Sequence, residues 1–74
     1  MISKNELKKA VKAVGLKVRA MRNQKGLTLE EVEAKGYPSW RHLQKVEAGK
    51  NVTLETLLKL ADALDCDIRE FFGS

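Results

Sequence analysis

Four residues near the middle of the chain are spaced to share one face of a helix: Trp40, Arg41, Gln44 and Lys45. Leu43 and Val46 fall on the opposite side of such a helix, so burying them in a core would turn the four towards solvent. The guanidinium of Arg41 can donate two parallel hydrogen bonds to guanine, and the amide of Gln44 can form two hydrogen bonds with adenine. The segment therefore predicts a helix whose solvent-facing side chains are capable of such paired hydrogen bonds.

The residue types that usually support catalysis or metal binding lack partners at useful spacing. His42 is the single histidine, and no second nitrogen or sulfur ligand is spaced with it to bind a metal. Asp62, Asp65 and Asp67 lie close together but lack the ordered loop and terminal glutamate of a calcium site. A chain this short also offers no obvious substrate cavity. We therefore predict no enzymatic activity and no metal, cofactor or small-molecule ligand.

The basic charge of the chain is concentrated at its N-terminal end. The net charge is +4, and between Met1 and Gly26 the only acidic residue is Glu6. The basic residues of that stretch are Lys4, Lys8, Lys9, Lys12, Lys17, Arg19, Arg22 and Lys25. Such an asymmetry is typical of a surface that meets a polyanion, although a helix face that carries lysines for solubility has the same composition.

Length and cysteine content limit the class of protein. The chain has 74 residues, which allows one domain with a thin core. Cys66 is the single cysteine and cannot form an internal disulfide, which suits a reducing compartment. No apolar run approaches the roughly 18 residues of a membrane span, and the N-terminus lacks the features of a signal peptide. We predict a cytoplasmic protein without a membrane partner, with a basic first helix lying on anionic lipid as a weaker alternative.

Helix-start signals divide the chain into five segments, and no stretch alternates with the period of a strand. Capping boxes begin at Ser3, Thr28 and Asp67, where a side chain and the glutamate three residues later can satisfy each other's backbone amide. Ser39 and Thr53 are suitable N-caps for two further helices. The predicted fold class is all-α, a five-helix bundle. We expect the third helix to pack across the second and against three leucines of the fourth, Leu57, Leu60 and Leu64.

The first segment has an interruption in its helical pattern. Its apolar residues recur every three or four positions from Leu7 to Met21, as on an amphipathic helix. Gly15 lies within this pattern and costs about 1 kcal/mol relative to alanine in a helix. We expect either two helices or one kinked helix, ended by Gly26 in the left-handed conformation.

The order and spacing of these elements resemble the phage repressor and Cro-type (XRE) helix-turn-helix family. The similarity is carried by the segments VGLKVRAMRNQKGLTLEEV, LQKVEAGKNVTLETLLKLADAL and DIREFF, which match the family in order without a gap. It covers residues 14–72. Residues 1–13 would form a basic N-terminal helical extension, and residues 14–74 the repressor-type domain. The resemblance implies a five-helix repressor-like bundle that binds double-stranded DNA and regulates transcription.

The resemblance also implies which residues meet DNA. The second helix would lie across the DNA backbone, and the third, from Trp40, would enter the major groove as the recognition helix. Its first, second, fifth and sixth positions would face the DNA. Lys50 and Asn51, just past this helix, are placed for phosphates, and the amides at the start of the second helix can meet another phosphate. The residues so assigned are Thr28, Leu29, Ser39, Trp40, Arg41, Gln44, Lys45, Lys50 and Asn51.

Two further positions acquire a role from the resemblance. Arg22 and Glu47 match an ion pair that ties the first helix to the third in the family; the alternative is that both are surface charges. Because Glu47 follows inward-facing Val46 in an apolar environment, we expect the pair to form. Cys66 occupies a small apolar position of the family, so we expect a buried structural thiol rather than a nucleophile.

Several residues depart from the family pattern. Leu29 replaces a glutamine that contacts phosphate, and Glu33 replaces the small residue that lets the second and third helices approach. The turn glycine falls one place early, at Gly36, which leaves Tyr37 at its usual position. Trp40 replaces a small or polar base-contacting residue, and an exposed tryptophan is a typical anchor at protein interfaces. The alternative function is therefore a protein-interaction adaptor, or an antitoxin-like module, on the same fold.

Three large apolar residues near the C-terminus predict a homodimer. Ile68, Phe71 and Phe72 are hard to bury fully within one small domain, and paired half-sites suit a dimeric DNA-binding protein. The alternative is that Ile68 and Phe71 close the core of a monomer.

Overall fold

The computed structural model describes residues 2–50 and 52–72. These residues form α1 (Lys4–Gln24), α2 (Leu29–Ala34), α3 (Trp40–Glu47), α4 (Leu54–Ala63) and a 3-10 turn (Ile68–Phe71). No strand occurs in this part of the chain. The all-α prediction is confirmed, with the fifth segment a single 3-10 turn rather than an α-helix.

Most of the predicted capping residues begin a helix. The Thr28 hydroxyl accepts a hydrogen bond from the Glu31 amide at 3.1 Å, and the Glu31 carboxylate accepts one from the Thr28 amide at 2.9 Å. A reciprocal box also forms at Asp67, while Ser3 and Thr53 cap through their hydroxyls alone. Local sequence therefore determines where these elements start.

The N-terminus of α3 is capped differently from the prediction. Ser39 precedes the helix but makes no capping hydrogen bond with its side chain. Instead, the Glu33 carboxylate of α2 accepts a hydrogen bond from the Trp40 amide at 3.2 Å. Glu33, a large residue of α2, thus supplies the hydrogen-bond acceptor that α3 needs at its start.

Gly15 is a contact point between helices rather than a break. α1 continues through it as one α-helix of 21 residues, so the expectation of two separate helices is wrong. Gly15 is buried, and a Cβ built on it would lie 2.3 Å from the carbonyl oxygen of Val46 and 3.2 Å from that of Glu47. The missing side chain lets the backbone of α1 meet the end of α3.

The core joins all five elements, but α3 packs mainly against α1 and α2. The leucines of α4 belong to the same apolar cluster, and α4 itself packs most closely against the 3-10 turn. The expected packing of α3 across α2 is observed, and its buried side chains share one cluster with Leu57, Leu60 and Leu64, although the α3 backbone lies closer to α1 and α2 than to α4. The fully buried side chains are Val18, Val32, Leu43, Val46, Leu60, Leu64 and Phe71.

The first part of α1 extends beyond this core. Residues 2–10 are all exposed, including Ile2 and Leu7. The 21 residues of α1 span about 31 Å, a length comparable to the 38 Å long axis of the molecule. The predicted boundary between residues 13 and 14 falls within α1, where the helix is continuous. The division into extension and domain stays a prediction.

The C-terminal apolar residues divide between core and surface. Phe71 is 1% exposed and Ile68 is partly buried, whereas Phe72 is 58% exposed. Phe71 therefore belongs to the core of the domain. Because its side chain has almost no accessible area, it cannot contact a partner and does not contribute to the predicted dimer surface. Gly26 adopts the left-handed conformation expected after α1, with φ of 69°. Asp65 has the same conformation after α4, with φ of 53°, which aspartate tolerates.

Candidate nucleic-acid interface

α3 exposes the polar face that the spacing predicts. Leu43 and Val46 are buried, which holds the helix against the core. Arg41, Gln44 and Lys45 are exposed on the other side. The helix therefore presents a guanidinium, an amide and an ammonium group together on one surface, a set that can donate hydrogen bonds to bases and phosphates.

Trp40 is half-buried and contacts its neighbour in sequence. The guanidinium carbon of Arg41 lies 5.2 Å from the centre of the Trp40 ring, within the range of a cation–π interaction. Adjacent residues on a helix do not normally face each other, so helical spacing does not predict this contact. Trp40 thus limits the orientations of Arg41 as well as contributing an apolar surface of its own.

The hydrogen bond from Trp40 to Glu33 sets the position of this face. We expect Glu33→Ala to lower the free energy of unfolding by about 1–2 kcal/mol, because it removes the acceptor of a helix N-terminal amide. Ser39→Ala is the matched control and should have little effect, since the Ser39 side chain makes no cap. Urea unfolding followed by circular dichroism measures both. Equal losses in the two variants would contradict the capping role of Glu33.

Tyr37 and His42 join the turn before α3 to the helix itself. The Tyr37 hydroxyl contacts Nδ1 of His42, and the two rings stack with centres 5.8 Å apart. Tyr37 is 2% exposed, and this burial raises the pKa of its phenol to about 12. The single histidine is thus engaged by a side chain of the turn. In the described residues no three histidine, cysteine or acidic side chains come together to bind a metal.

Arg22 and Glu47 connect α1 to the end of α3. Nε and Nη2 of Arg22 donate hydrogen bonds to the two carboxylate oxygens of Glu47, at 2.7 and 2.9 Å. Nη1 donates a third hydrogen bond to the carbonyl oxygen of Leu27 at 2.8 Å. The two side chains are only 13% and 8% exposed, and the hydrogen bonds to Glu47 raise the pKa of Arg22. The ion pair fixes both the end of α3 and the loop that leads into α2.

A shallow groove of about 300 Å³ lies between α1, α2 and α3. It is lined by Arg19, Arg22, Leu29, Gln44, Glu47 and Ala48. Arg19, which was not among the predicted site residues, therefore lies near Gln44 across the groove. The sequence places Arg19 in the basic N-terminal stretch, but only the packing of α1 on α3 brings it to this face.

The start of α2, where the sequence predicts a phosphate contact, carries two acidic side chains in its first turn. Leu29 is half-buried against the core, and the Thr28 hydroxyl is engaged in its capping box. Glu30 and Glu31 occupy the first turn, where their charges already complement the positive end of the helix dipole. Hydrogen bonding to Thr28 lowers the pKa of Glu31, so this carboxylate stays ionised. A phosphate would meet two negative charges here.

The remaining predicted site residues lie after α3. Lys50 is exposed, directly beyond the turn at Gly49. Asn51 lies outside the described residues.

Cys66, which was expected to be buried, is half-buried. This burial raises the pKa of its thiol, which disfavours the reactive thiolate. Within residues 2–50 and 52–72, no helix combines the length and apolarity needed to cross a membrane.

Comparisons with known proteins match the part of the chain that contains this face. A family model described as helix-turn-helix matches residues 18–71. An uncharacterized HTH-type transcriptional regulator of Sinorhizobium fredii (strain NBRC 101917 / NGR234) is 46% identical over 54 residues, which span 72% of this chain and 70% of that protein. No solved structure gives a significant match. The matched range begins within α1 and ends at the last residue of the 3-10 turn.

Proposed function

This chain belongs to the helix-turn-helix family that its sequence resembles, and on that premise we propose that it is a sequence-specific DNA-binding transcriptional regulator. The family points to binding rather than to catalysis. In this proposal α3 enters the major groove and turns its exposed face to the base edges. The observation that carries it is the joint exposure of Arg41, Gln44 and Lys45 on a helix whose other side is buried.

Each residue of the face has a role that follows from its chemistry. Arg41 and Gln44 contact bases, since their side chains can each form two hydrogen bonds with one base edge. Trp40 packs on a thymine methyl group or a sugar and keeps Arg41 oriented through the cation–π contact. Lys45 and Lys50 act through phosphates, the role that the sequence also predicts for Asn51. In this proposal the regulator acts in the cytoplasm and its partner is double-stranded DNA. It requires neither a small-molecule ligand nor a membrane for binding.

Base and phosphate contacts predict different effects of mutation. We expect Arg41→Ala to lose about 1–3 kcal/mol of binding free energy on the preferred duplex and little on random DNA. Lys50→Ala should weaken binding to all duplexes alike and reduce the salt slope by about one unit, because a phosphate contact carries no sequence information. Fluorescence anisotropy titrations over a range of salt concentrations measure both effects. An equal loss on both duplexes for Arg41→Ala would contradict base contact.

Selection of bound sequences from random DNA tests the function and the symmetry together. We expect a preferred site bound with strong salt dependence, and an inverted repeat if the protein acts as a homodimer. The dimer surface in this proposal is formed by Ile68 and Phe72. A single asymmetric half-site would argue against the homodimer, and the absence of salt-dependent binding to any duplex at low ionic strength would contradict DNA binding itself.

The second candidate is a protein-interaction adaptor or antitoxin-like module on the same fold. It is favoured by Trp40 at the start of α3 and by Glu30 and Glu31 at the start of α2, where a phosphate contact is unfavourable. In that case Trp40→Ala would abolish association with a partner protein, and wild type would not bind DNA. Failure of the duplex titrations would therefore favour this candidate.

A further inference from the structure

A band of basic side chains runs along one side of α1. Lys8, Lys12 and Arg19 lie within about 40° of one another around the helix axis, at 3.6 residues per turn. All three are exposed. The band, defined by these three residues, extends for about 16 Å along α1. It begins in the part of the helix that extends beyond the core and ends beside α3.

Two contacts place this band next to the exposed face of α3. Arg19 lines the same groove as Gln44 and Ala48. A Cβ built on Gly49 would lie 3.3 Å from the Cα of Lys12, so this part of α1 packs against the turn that leads to Lys50. The band therefore lies beside the C-terminal half of α3. It continues past the turn that follows α3.

The charge of the band is not neutralised by the protein. The ion pairs in the described residues are Arg22–Glu47, Glu55–Lys59 and Asp67–Arg69, none of which includes a residue of the band. The single acidic residue of α1, Glu6, lies about 120–160° around the helix from the band. Lys8 and Lys12 on one side of the Gly15 contact with α3, and Arg19 on the other side, thus carry solvated positive charges that are available to an external polyanion.

We propose that this band binds the phosphate backbone of the DNA that flanks the site contacted by α3. The inference rests on the proposed function and extends the interface to the N-terminal part of α1, outside the range matched by the family model. Measured along the DNA helix axis, a length of about 16 Å spans roughly five phosphates of one strand, at about 3.4 Å of axis per phosphate. Lys8 and Lys12 add affinity without sequence preference, because phosphates are the same in every sequence.

The test compares two double variants that remove the same charge. Lys8→Gln/Lys12→Gln removes the outer half of the band, and glutamine keeps the helix propensity. Lys25→Gln/Lys35→Gln is the control; these lysines line a different groove, with Leu64 and Asp65. Each protein is titrated over a range of salt concentrations against the selected duplex, once with little flanking sequence and once with about ten extra base pairs at each end, about one helical turn.

We expect the band variant to lose affinity by about 10- to 100-fold at 0.1 M salt on the extended duplex, with a salt slope lower by about two units. The control variant should retain the wild-type slope. Wild type should also prefer the extended duplex over the short one, and the band variant should lose most of that preference. Circular dichroism checks that both variants keep their helix content.

Three other outcomes would overturn the inference, and they are distinguishable. If wild type binds no duplex, the proposed function fails and the inference fails with it. If wild type binds the preferred duplex and the band variant keeps its affinity and salt slope, only the inference fails. If the band variant loses binding to anionic phosphatidylserine vesicles while its DNA binding is unchanged, the band serves a membrane surface instead.

Discussion

Replacing Glu47 with alanine is expected to lower the free energy of unfolding by about 3–5 kcal/mol, as for other buried ion pairs that lose one partner. The Arg22 side chain is only 13% exposed in the wild type, and the change removes the two hydrogen bonds that Glu47 accepts from its guanidinium. A domain of this size has a total stability of about 4–11 kcal/mol, so the variant should be partly unfolded at 37 °C. Urea unfolding at low temperature measures the difference.

The control for this experiment is an exposed ion pair of the same protein. Glu55 pairs with Lys59 on α4, and their side chains are 80% and 52% exposed. Glu55→Ala should therefore cost no more than about 0.5 kcal/mol. A loss below roughly 0.5 kcal/mol for Glu47→Ala would show that its ion pair behaves like this surface pair, in spite of its burial.

The second large effect is expected at Gly15. Gly15→Ala should lower the free energy of unfolding by about 2 kcal/mol or more, because the new Cβ would overlap the Val46 carbonyl oxygen and push α1 away from α3. Helix propensity alone predicts the opposite sign, a gain of about 1 kcal/mol for alanine. The sign of the change therefore separates the two explanations.

The control lies on the exposed side of the same helix. Ala20 is exposed, so Ala20→Gly reports helix propensity without interhelical packing and should lose about 1 kcal/mol. Thermal unfolding of both variants, followed by circular dichroism, gives the comparison. If Gly15→Ala were more stable than wild type, the close approach of α1 and α3 would not depend on the missing side chain.

Features that depend on residues near each other in sequence could be predicted. The capping box of Thr28 and Glu31 spans three residues, and the alternation of Leu43 and Val46 with exposed neighbours follows from the helical period. These local patterns were enough to locate the helices and to identify the side of α3 that faces solvent.

Features that depend on the approach of separate elements could not be predicted in the same way. Whether Glu33 or Ser39 caps α3 is decided by the angle between α2 and α3, because both side chains carry suitable acceptors. Gly15 has the same local signature whether it breaks a helix or packs under a neighbouring backbone. Arg19 reaches the groove beside Gln44 only because α1 packs against α3, which the composition of α1 does not determine.

The uneven burial of α1 gives this helix two different local stabilities. The amide protons of residues 8–10 are protected from exchange only by hydrogen bonds within a solvated helix end. These hydrogen bonds break when the helix end unwinds, which does not require the core to open. The amide of Val18, whose side chain is fully buried, can exchange with solvent only when the domain opens globally. The rate of amide hydrogen exchange along α1 should therefore fall steeply from the N-terminal end of the helix towards its contact with α3.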